Sequence, residues 1–167
     1  DGYGKGQYFI DPMKLQFVTA GIDVENGGYD DFGIPGNILA NYLRENGIIP
    51  EKCDLNDILF LMTPAESETK MNDLVAKLIR FEQLIDQDAP MSEVLPSIYN
   101  AYEEKYRGYT IRRLCQEMHD FYKDRKVSTL QKELFLKDYF PEYVMNPQEA
   151  QYEFMRAHGE LVDLADA

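Results

Sequence analysis

The sequence of 167 residues has no tryptophan and only two cysteines and two histidines, and each scarcity excludes a class of protein. Cys53 and Cys115 lie far apart and predict reduced thiols rather than a disulfide framework. Cys115 and His119 have the i, i+4 spacing of two zinc ligands on a helix, but no further Cys/His cluster completes a set of four. No apolar run approaches the roughly 20 residues that span a bilayer, so no membrane segment and no membrane partner are expected.

Positive charge is scarce as well. The chain has 17 Lys and Arg residues against 30 Asp and Glu residues, which gives a formal net charge of -13. Binding to a phosphate backbone needs clustered Lys and Arg, so nucleic acid is not an expected partner. An acidic surface attracts cationic ligands, but it is equally typical of a protein that is merely well solvated. The charge alone leaves both interpretations open.

The remaining composition is that of an ordinary globular protein, with 44% apolar and 28% charged residues. A chain of this length forms one domain or two small ones and buries roughly 70% of the surface that its unfolded form exposes. A hydrophobic core is therefore expected without metal or disulfides. The opening, DGYGKGQ, has neither an initiator Met nor the apolar stretch of a secretory signal, which favours either an end introduced by cloning or the interior of a longer protein. Without a secretory signal, the two cysteines are expected to be reduced in the cytoplasm.

The clearest structural pattern lies between residues 31 and 66. Pro35 predicts the start of a helix over residues 35–46, and Gly47 stands where a left-handed residue commonly ends a helix. The apolar run of residues 58–62 predicts a buried strand. The segment Thr63-Pro64-Ala65-Glu66 is typical of a capping box with proline at the first helical position, and it predicts a helix from Pro64 to about Ile85.

Two further segments precede this pattern. Residues 14–19 alternate apolar and polar side chains and predict a half-buried strand with Leu15 and Phe17 facing inward. Residues 21–33 are rich in Gly, Asp and Asn and predict a loop. The carboxylates of this loop lack the regular alternation and terminal Glu of an EF-hand, so a solvated turn is expected rather than a calcium site.

Beyond a polar break at residues 86–90 the chain is mostly helical. Caps and apolar periodicity predict four helices, and an apolar alternation near the end predicts a strand. These elements are expected at residues 96–106, after Thr110, after Ser128, after Asn146 and at residues 160–164.

Together these elements predict an α+β fold. A small mixed sheet covered by helices is expected in residues 1–86, and a mainly helical region in residues 87–167. The polar break between the two regions is interpreted as a domain boundary.

No local motif predicts a catalytic, cofactor-binding or metal-binding residue. The glycines near the start of the chain are not followed by a phosphate-binding helix, and neither a Walker pattern nor a G-x-S-x-G turn occurs. His119 and His158 are interpreted as structural, because neither has the spacing of a metal motif and His158 lies at a helix end that favours a cation. A Ser–His–Asp arrangement stays open, with nothing local to support it.

Glu45 is the one carboxylate with an unusual position. It falls in the last turn of the helix over residues 35–46, where the helix macrodipole disfavours negative charge. One interpretation is an exposed carboxylate paired loosely with Arg44 in solvent. The other is a functional carboxylate, and the position alone does not separate them.

Four segments of the chain resemble the bacterial ornithine decarboxylases, members of the ornithine/lysine/arginine decarboxylase group with the aspartate-aminotransferase fold. The resemblance covers essentially the whole chain, and LRENGIIPEKCD and LCQEMH favour the ornithine branch over the lysine branch. The segments are Asp11-Pro12-Met13-Lys14, DFGIPGNILANYLRENGIIPEKCDLNDILFLMTPAE at residues 31–66, IRRLCQEMH at residues 111–119 and MNPQEA at residues 145–150.

The resemblance implies a pyridoxal-phosphate enzyme that converts L-ornithine to putrescine and CO2 in the cytoplasm, with the cofactor ring as electron sink. The family's cofactor lysine has no match here. The resemblance therefore implies a fragment that is inactive alone, with the rest of the parent polypeptide as partner. Residues 1–86 would end the small aminotransferase-like domain, and residues 87–167 would begin the C-terminal domain. The family also builds homodimers and larger rings from dimers.

The resemblance also implies a role for Glu45. In ornithine- and lysine-specific relatives, an acidic residue near the end of the matching helix is thought to receive the distal amine of the substrate, and Glu45 matches that position. Three alternatives stay open: a non-catalytic helical interaction or dimerisation module, a fragment of a lysine or arginine decarboxylase, and an acidic regulator that binds polyamines through its charge.

Overall fold

The computed structural model describes residues 11–136, 140, 142, 144–163 and 165, and its sheet is built from three strands. These are β1 (Lys14–Val18), β4 (Lys52–Cys53) and β5 (Asp57–Leu61), in the order β1-β5-β4. Both strand pairs are antiparallel. The predicted α+β class is confirmed, but the described pairs give an antiparallel sheet where the sequence predicted a mixed one.

Strand β1 lies where the sequence predicted it, but its predicted half-burial is wrong. Phe17 stands opposite Ile58 of β5 and remains 40% exposed, and Leu15 remains 37% exposed. Along β5 only Ile58 and Phe60 are buried, so this strand alternates and is not buried throughout. The period-2 pattern identifies two faces of a strand, but it does not say what covers either of them.

The segment predicted as a loop at residues 21–33 contains a short hairpin. Its strands are β2 (Ile22–Asp23) and β3 (Gly28–Tyr29), which pair antiparallel as a separate two-stranded ribbon. Two-residue strands are too short for hydrophobic alternation to reveal them, so turn chemistry dominated the prediction.

Helix α1 (Gly36–Glu45) confirms the predicted helix, with Pro35 as its N-cap residue. Gly36 is required at its start because a Cβ there would lie 2.5 Å from the carbonyl oxygens of Asp54 and Asp57. Gly47 has a φ of 79°, as predicted for the residue that ends the helix.

Helix α2 (Glu68–Asp86) begins later than predicted. Thr63 and Glu66 form a turn, in which the Glu66 N–H donates to the Thr63 carbonyl at 3.0 Å. The N-cap is Ser67, whose hydroxyl accepts from the Lys70 N–H at 3.3 Å. The helix buries one face, whose buried members are Leu74, Phe81, Leu84 and Ile85.

The segment predicted as one helix over residues 96–106 is interrupted. Helices α3 (Met91–Val94), α4 (Pro96–Ala101) and α5 (Glu103–Tyr106) are separated by Leu95 and Tyr102. Both of these residues leave the helical region, with φ near -132° and -137°. Leu95 precedes the predicted start, and the periodicity of the segment did not reveal the break at Tyr102.

The later helices confirm two of the three predicted caps. Thr110 caps α6 (Ile111–Asp124) by accepting from the Arg113 N–H at 3.3 Å. Asn146 caps α8 (Pro147–Met155) in a full capping box with Glu149. The prediction for Ser128 is wrong, as it lies inside α7 (Val127–Glu133). The strand predicted at residues 160–164 is absent from residues 160–163, and residue 164 lies outside the described residues.

The hydrophobic core joins residues on both sides of the predicted boundary at residue 86. Leu43, Ile58, Leu84, Met91 and Ile111 are all buried within the same cluster. Two compact units emerge from the contacts, residues 1–129 and residues 130–167. The division of the family's domains near residue 86 stays a prediction. Among the described residues, no helix is long and apolar enough to cross a bilayer.

Candidate functional site

Glu45 lies at the C-terminal end of α1, and its side chain reaches the start of α4. Its two carboxylate oxygens accept from the backbone N–H of Ser97 at 3.3 and 3.2 Å. The side chain is partly exposed. The interpretation of a loose pair with Arg44 is wrong, because the Arg44 guanidinium instead donates to Asn41 Oδ1 at 3.2 Å.

The Ser97 N–H is available because of its place in α4. The first N–H groups of a helix have no partner inside the helix, and Pro96, at the first helical position, has no N–H at all. Ser97 therefore supplies the first donor of α4. A hydrogen bond to an ionised acceptor is roughly twice as strong as one between neutral groups, so Glu45 is a suitable partner.

Glu45 also ends a polar line along α1. Asn37, Asn41 and Glu45 are spaced four residues apart, so they lie on one face of α1. The two asparagines border a cavity of about 230 Å³ between α1 and the helices that follow α2. Asn37 Oδ1 is buried there without a hydrogen-bond partner among the described residues. The four-residue spacing is visible in the sequence and could have revealed this line, which the sequence analysis missed.

A second polar cluster attaches the acidic segment before α1 to helix α6. His119 is buried, and its Nε2 lies 2.9 Å from the Asp30 carbonyl oxygen, which fits a ring N–H that donates. The Lys123 ammonium donates to the same carbonyl and to Asp31 Oδ1, both at 3.1 Å. The Gln116 side-chain amide donates to the Asp31 carbonyl at 2.8 Å. These contacts support the structural interpretation of His119.

The glycines of this segment make room for the imidazole. A Cβ on Gly33 would lie 2.1 Å from His119 Nδ1, and one on Gly21 would lie 2.3 Å from the Gly33 Cα. Gly21 also has a φ of 98°, which L side chains rarely adopt. The glycine-rich composition that predicted a loop therefore also allows the loop to pack closely against α6.

The remaining predicted residues do not form a reactive group. Both cysteines are free thiols, and burial raises the pKa of the Cys115 thiol to about 12, so it stays protonated and unreactive near neutral pH. His158 Nδ1 lies 2.5 Å from Glu153 Oε2 at the end of α8. Among the described residues, no group of three or more His, Cys, Asp or Glu side chains is placed to hold a metal ion.

The described lysines do not fit a pyridoxal-phosphate site. Such a site needs a lysine amine free to form a Schiff base in a sheltered pocket. Every described lysine side chain is at least partly exposed. Four of them pair with carboxylates: Lys14 with Glu51 at 3.6 Å, Lys70 with Glu66 at 3.0 Å, Lys77 with Asp73 at 2.6 Å and Lys123 with Asp31 at 3.1 Å.

Comparison with known proteins gives the family. Residues 1–70 match the sequence profile described as Orn/Lys/Arg decarboxylase, major domain. The whole chain is 60% identical to the inducible ornithine decarboxylase of Escherichia coli K12. Over 99% of its length it is 58% identical to the ornithine decarboxylase of Haemophilus influenzae. The chain belongs to the Orn/Lys/Arg decarboxylase family.

A solved structure of the same family agrees with the fold. The constitutive lysine decarboxylase of E. coli superposes with a TM-score of 0.82 at 30% identity, over 89% of this chain and 20% of that one. The chain covers 23% of each of the two ornithine decarboxylases. It therefore spans less than a quarter of the length of the decarboxylases that it matches.

Proposed function

We propose that this chain is a segment of a longer, pyridoxal-phosphate-dependent ornithine decarboxylase, which converts L-ornithine to putrescine and CO2 in cytoplasmic polyamine biosynthesis. One observation carries the substrate: identity is 60% and 58% to ornithine decarboxylases but 30% to the lysine decarboxylase of known structure. The alternative is a segment of a lysine or arginine decarboxylase.

The chain's contribution is one wall of the substrate pocket, with Glu45 as the group that receives the distal ammonium of ornithine. Two features support this role. The Glu45 carboxylate has no cationic partner among the described residues, and the hydrogen-bond donor that it has there is the backbone N–H of Ser97. A carboxylate offers about four lone-pair sites, so acceptor capacity remains for an ammonium group.

The chain is inactive alone under this proposal, because the described residues offer no lysine that fits the cofactor. The rest of the longer polypeptide is its first partner. Homodimers, and rings built from them, are the proposed assembly. Helix α8 supports an interface, since none of its residues is buried and Phe154 is 82% exposed. A purely non-catalytic dimerisation module is the second candidate, favoured by the same exposed residues.

The first experiment measures CO2 release by the longer polypeptide with pyridoxal phosphate and ornithine, lysine or arginine. The proposal expects a strong preference for ornithine. Preference for lysine or arginine would agree with the family but contradict ornithine as the substrate. Release from none of the three would favour the dimerisation module, which sedimentation of the isolated chain would then test.

The second experiment tests Glu45 itself. Glu45→Gln keeps the shape and the acceptor oxygen but removes the charge that an ammonium group needs. We expect the KM for ornithine to rise about tenfold or more, in line with the roughly 1.5–3 kcal/mol of a hydrogen bond to a charged group. Binding of pyridoxal phosphate, followed by its absorbance, should not change. If neither KM nor kcat changed, the proposed role of Glu45 in substrate binding would be contradicted.

A further inference from the structure

We propose that the backbone N–H of Ser97 is a specificity device: it positions the Glu45 carboxylate and thereby sets the length of the amine substrate. This proposal rests on the proposed function, in which Glu45 receives the distal ammonium. It adds a residue from a different helix, which holds the carboxylate through the two hydrogen bonds at 3.3 and 3.2 Å.

Both ends of this contact are anchored in the core. Leu43 precedes Glu45 by two residues and Leu95 precedes Ser97 by two, and both side chains are fully buried. Pro96 fixes the backbone φ just before the donor. The N–H therefore points from a fixed backbone, while the Glu side chain alone has three rotatable bonds. Of the two partners, the donor is the rigid one, and it selects the position of the carboxylate.

A single N–H shared between two oxygens fixes the carboxylate without saturating it. The oxygens keep lone pairs for a second, cationic donor. A substrate ammonium can therefore bind a carboxylate that is already in place. Binding to a preorganised group avoids the cost of ordering a rotamer-rich side chain, which is about 0.5–1.5 kcal/mol per side chain.

The position of the carboxylate decides between two substrates that differ by one methylene. Ornithine and lysine carry the same reacting groups, and only the distance to the distal ammonium differs. One methylene is worth at most about 10- to 200-fold in a binding site, and only where the site does not adjust. A Glu45 side chain released from Ser97 could move back to accept the longer substrate, so the discrimination depends on the Ser97 N–H.

The test uses variants of the longer polypeptide and compares kcat/KM for ornithine with kcat/KM for lysine. Ser97→Pro deletes the N–H, whereas Ser97→Ala keeps it. Ser92→Pro places proline at the equivalent second position of α3 and serves as the matched control for the backbone effect of proline. Glu45→Asp keeps the charge and shortens the side chain by one methylene, so it withdraws the carboxylate without altering any backbone.

We expect the ornithine-to-lysine ratio to fall at least fivefold in Ser97→Pro and in Glu45→Asp, with most of the change in KM. The ratio should stay within twofold of the parent in Ser97→Ala and Ser92→Pro. A merely structural contact would lower kcat/KM for both substrates equally and leave the ratio alone. If Ser97→Pro does not fold, replacement of Ser97 by the α-hydroxy acid analogue of alanine removes the same N–H without a proline ring, and its ornithine-to-lysine ratio decides the outcome.

The two proposals fail in different ways. If Glu45→Gln raises the KM for ornithine but Ser97→Pro and Glu45→Asp leave the ratio within twofold, Glu45 binds the amine and the positioning role is overturned. If Glu45→Gln changes neither KM nor kcat, the substrate role of Glu45 is overturned, and the positioning role falls with it.

Discussion

Adding a single methyl group at Gly33 should destabilise the fold of residues 1–129 by forcing His119 out of its place. A Cβ at Gly33 would lie 2.1 Å from His119 Nδ1 and 2.4 Å from Cε1. The imidazole is only 1% exposed, so it cannot leave the clash for solvent unless its neighbours move. The backbone of Gly33 does not have a positive φ, so Gly33→Ala adds no backbone strain and its cost in the folded state comes from the steric clash.

The magnitude follows from three contributions. Overpacking a core by a methyl group costs about 1–3 kcal/mol. Loss of the His119 hydrogen bond to the Asp30 carbonyl costs about 0.5–1.5 kcal/mol. The alanine returns about 0.4–1 kcal/mol by restricting the unfolded chain. We expect the free energy of unfolding to fall by about 0.5–4 kcal/mol, which lowers the urea midpoint by roughly 1 M near the middle of that range, at an unchanged slope.

The chain supplies both a control and a rescue. Gly28→Ala is the control, because a Cβ at Gly28 meets nothing within 4 Å, and its midpoint should stay near that of the parent chain. His119→Ala should rescue the packing, so that Gly33→Ala costs no more in that background than Gly28→Ala does. Equal midpoints for Gly33→Ala and Gly28→Ala would refute the reasoning, and so would strict additivity of Gly33→Ala with His119→Ala.

Three further predictions concern other parts of the fold. Gly36→Ala should lower the free energy of unfolding by about 1–3 kcal/mol in urea, because its Cβ would lie 2.5 Å from two backbone carbonyl oxygens that cannot move aside; a loss below 0.5 kcal/mol would contradict this. Thr110→Ala should cost about 1 kcal/mol by removing the N-cap of α6, whereas Thr129→Ala, on an exposed side chain with no capping role, should cost almost nothing. Cys115 has a pKa raised by burial from 9.0 to about 12, so its neutral thiol contributes stability that is complete below pH 9 and is lost as the pH rises toward 12. Unfolding curves of the parent chain should therefore lose more stability over that range than those of Cys115→Ala, and parallel losses would contradict the assignment.

Local signals in the sequence predicted those elements whose ends are decided locally. Thr110 and Asn146 cap helices as predicted, and Gly47 has the left-handed backbone expected past the end of α1. At each of these positions, neighbours within four residues decide the conformation. Such signals are legible without knowledge of the tertiary structure.

The same signals failed where a distant contact competes. Ser128 has the residue type of a cap, but its hydroxyl donates to the Gly27 carbonyl at 2.7 Å, so it lies inside α7 instead of at its start. The Thr63 hydroxyl donates to the Glu66 carboxylate at 3.3 Å within a turn. Ser67, four residues later, caps α2 instead. In both residues the hydroxyl donates to another oxygen and does not accept from the backbone N–H that a cap would bind.

The candidate site likewise contains one residue that local signals revealed and one that they did not. The macrodipole of α1 marked Glu45 as a carboxylate in an unfavourable place, and this signal needed nothing beyond the helix itself. Its partner Ser97 lies 52 residues away in sequence, and no periodicity or cap connects the two. The hydrogen bond from the Ser97 N–H to the charged carboxylate offsets the repulsion between Glu45 and the carbonyl end of α1. The position of Glu45 is therefore unfavourable when α1 is considered alone, but its carboxylate is satisfied by the contact with α4. A carboxylate that is held in place, partly exposed and without a cation has the properties that recognition of an ammonium group requires. For that reason the contact with Ser97 strengthens the case for Glu45 instead of replacing it with a purely structural role.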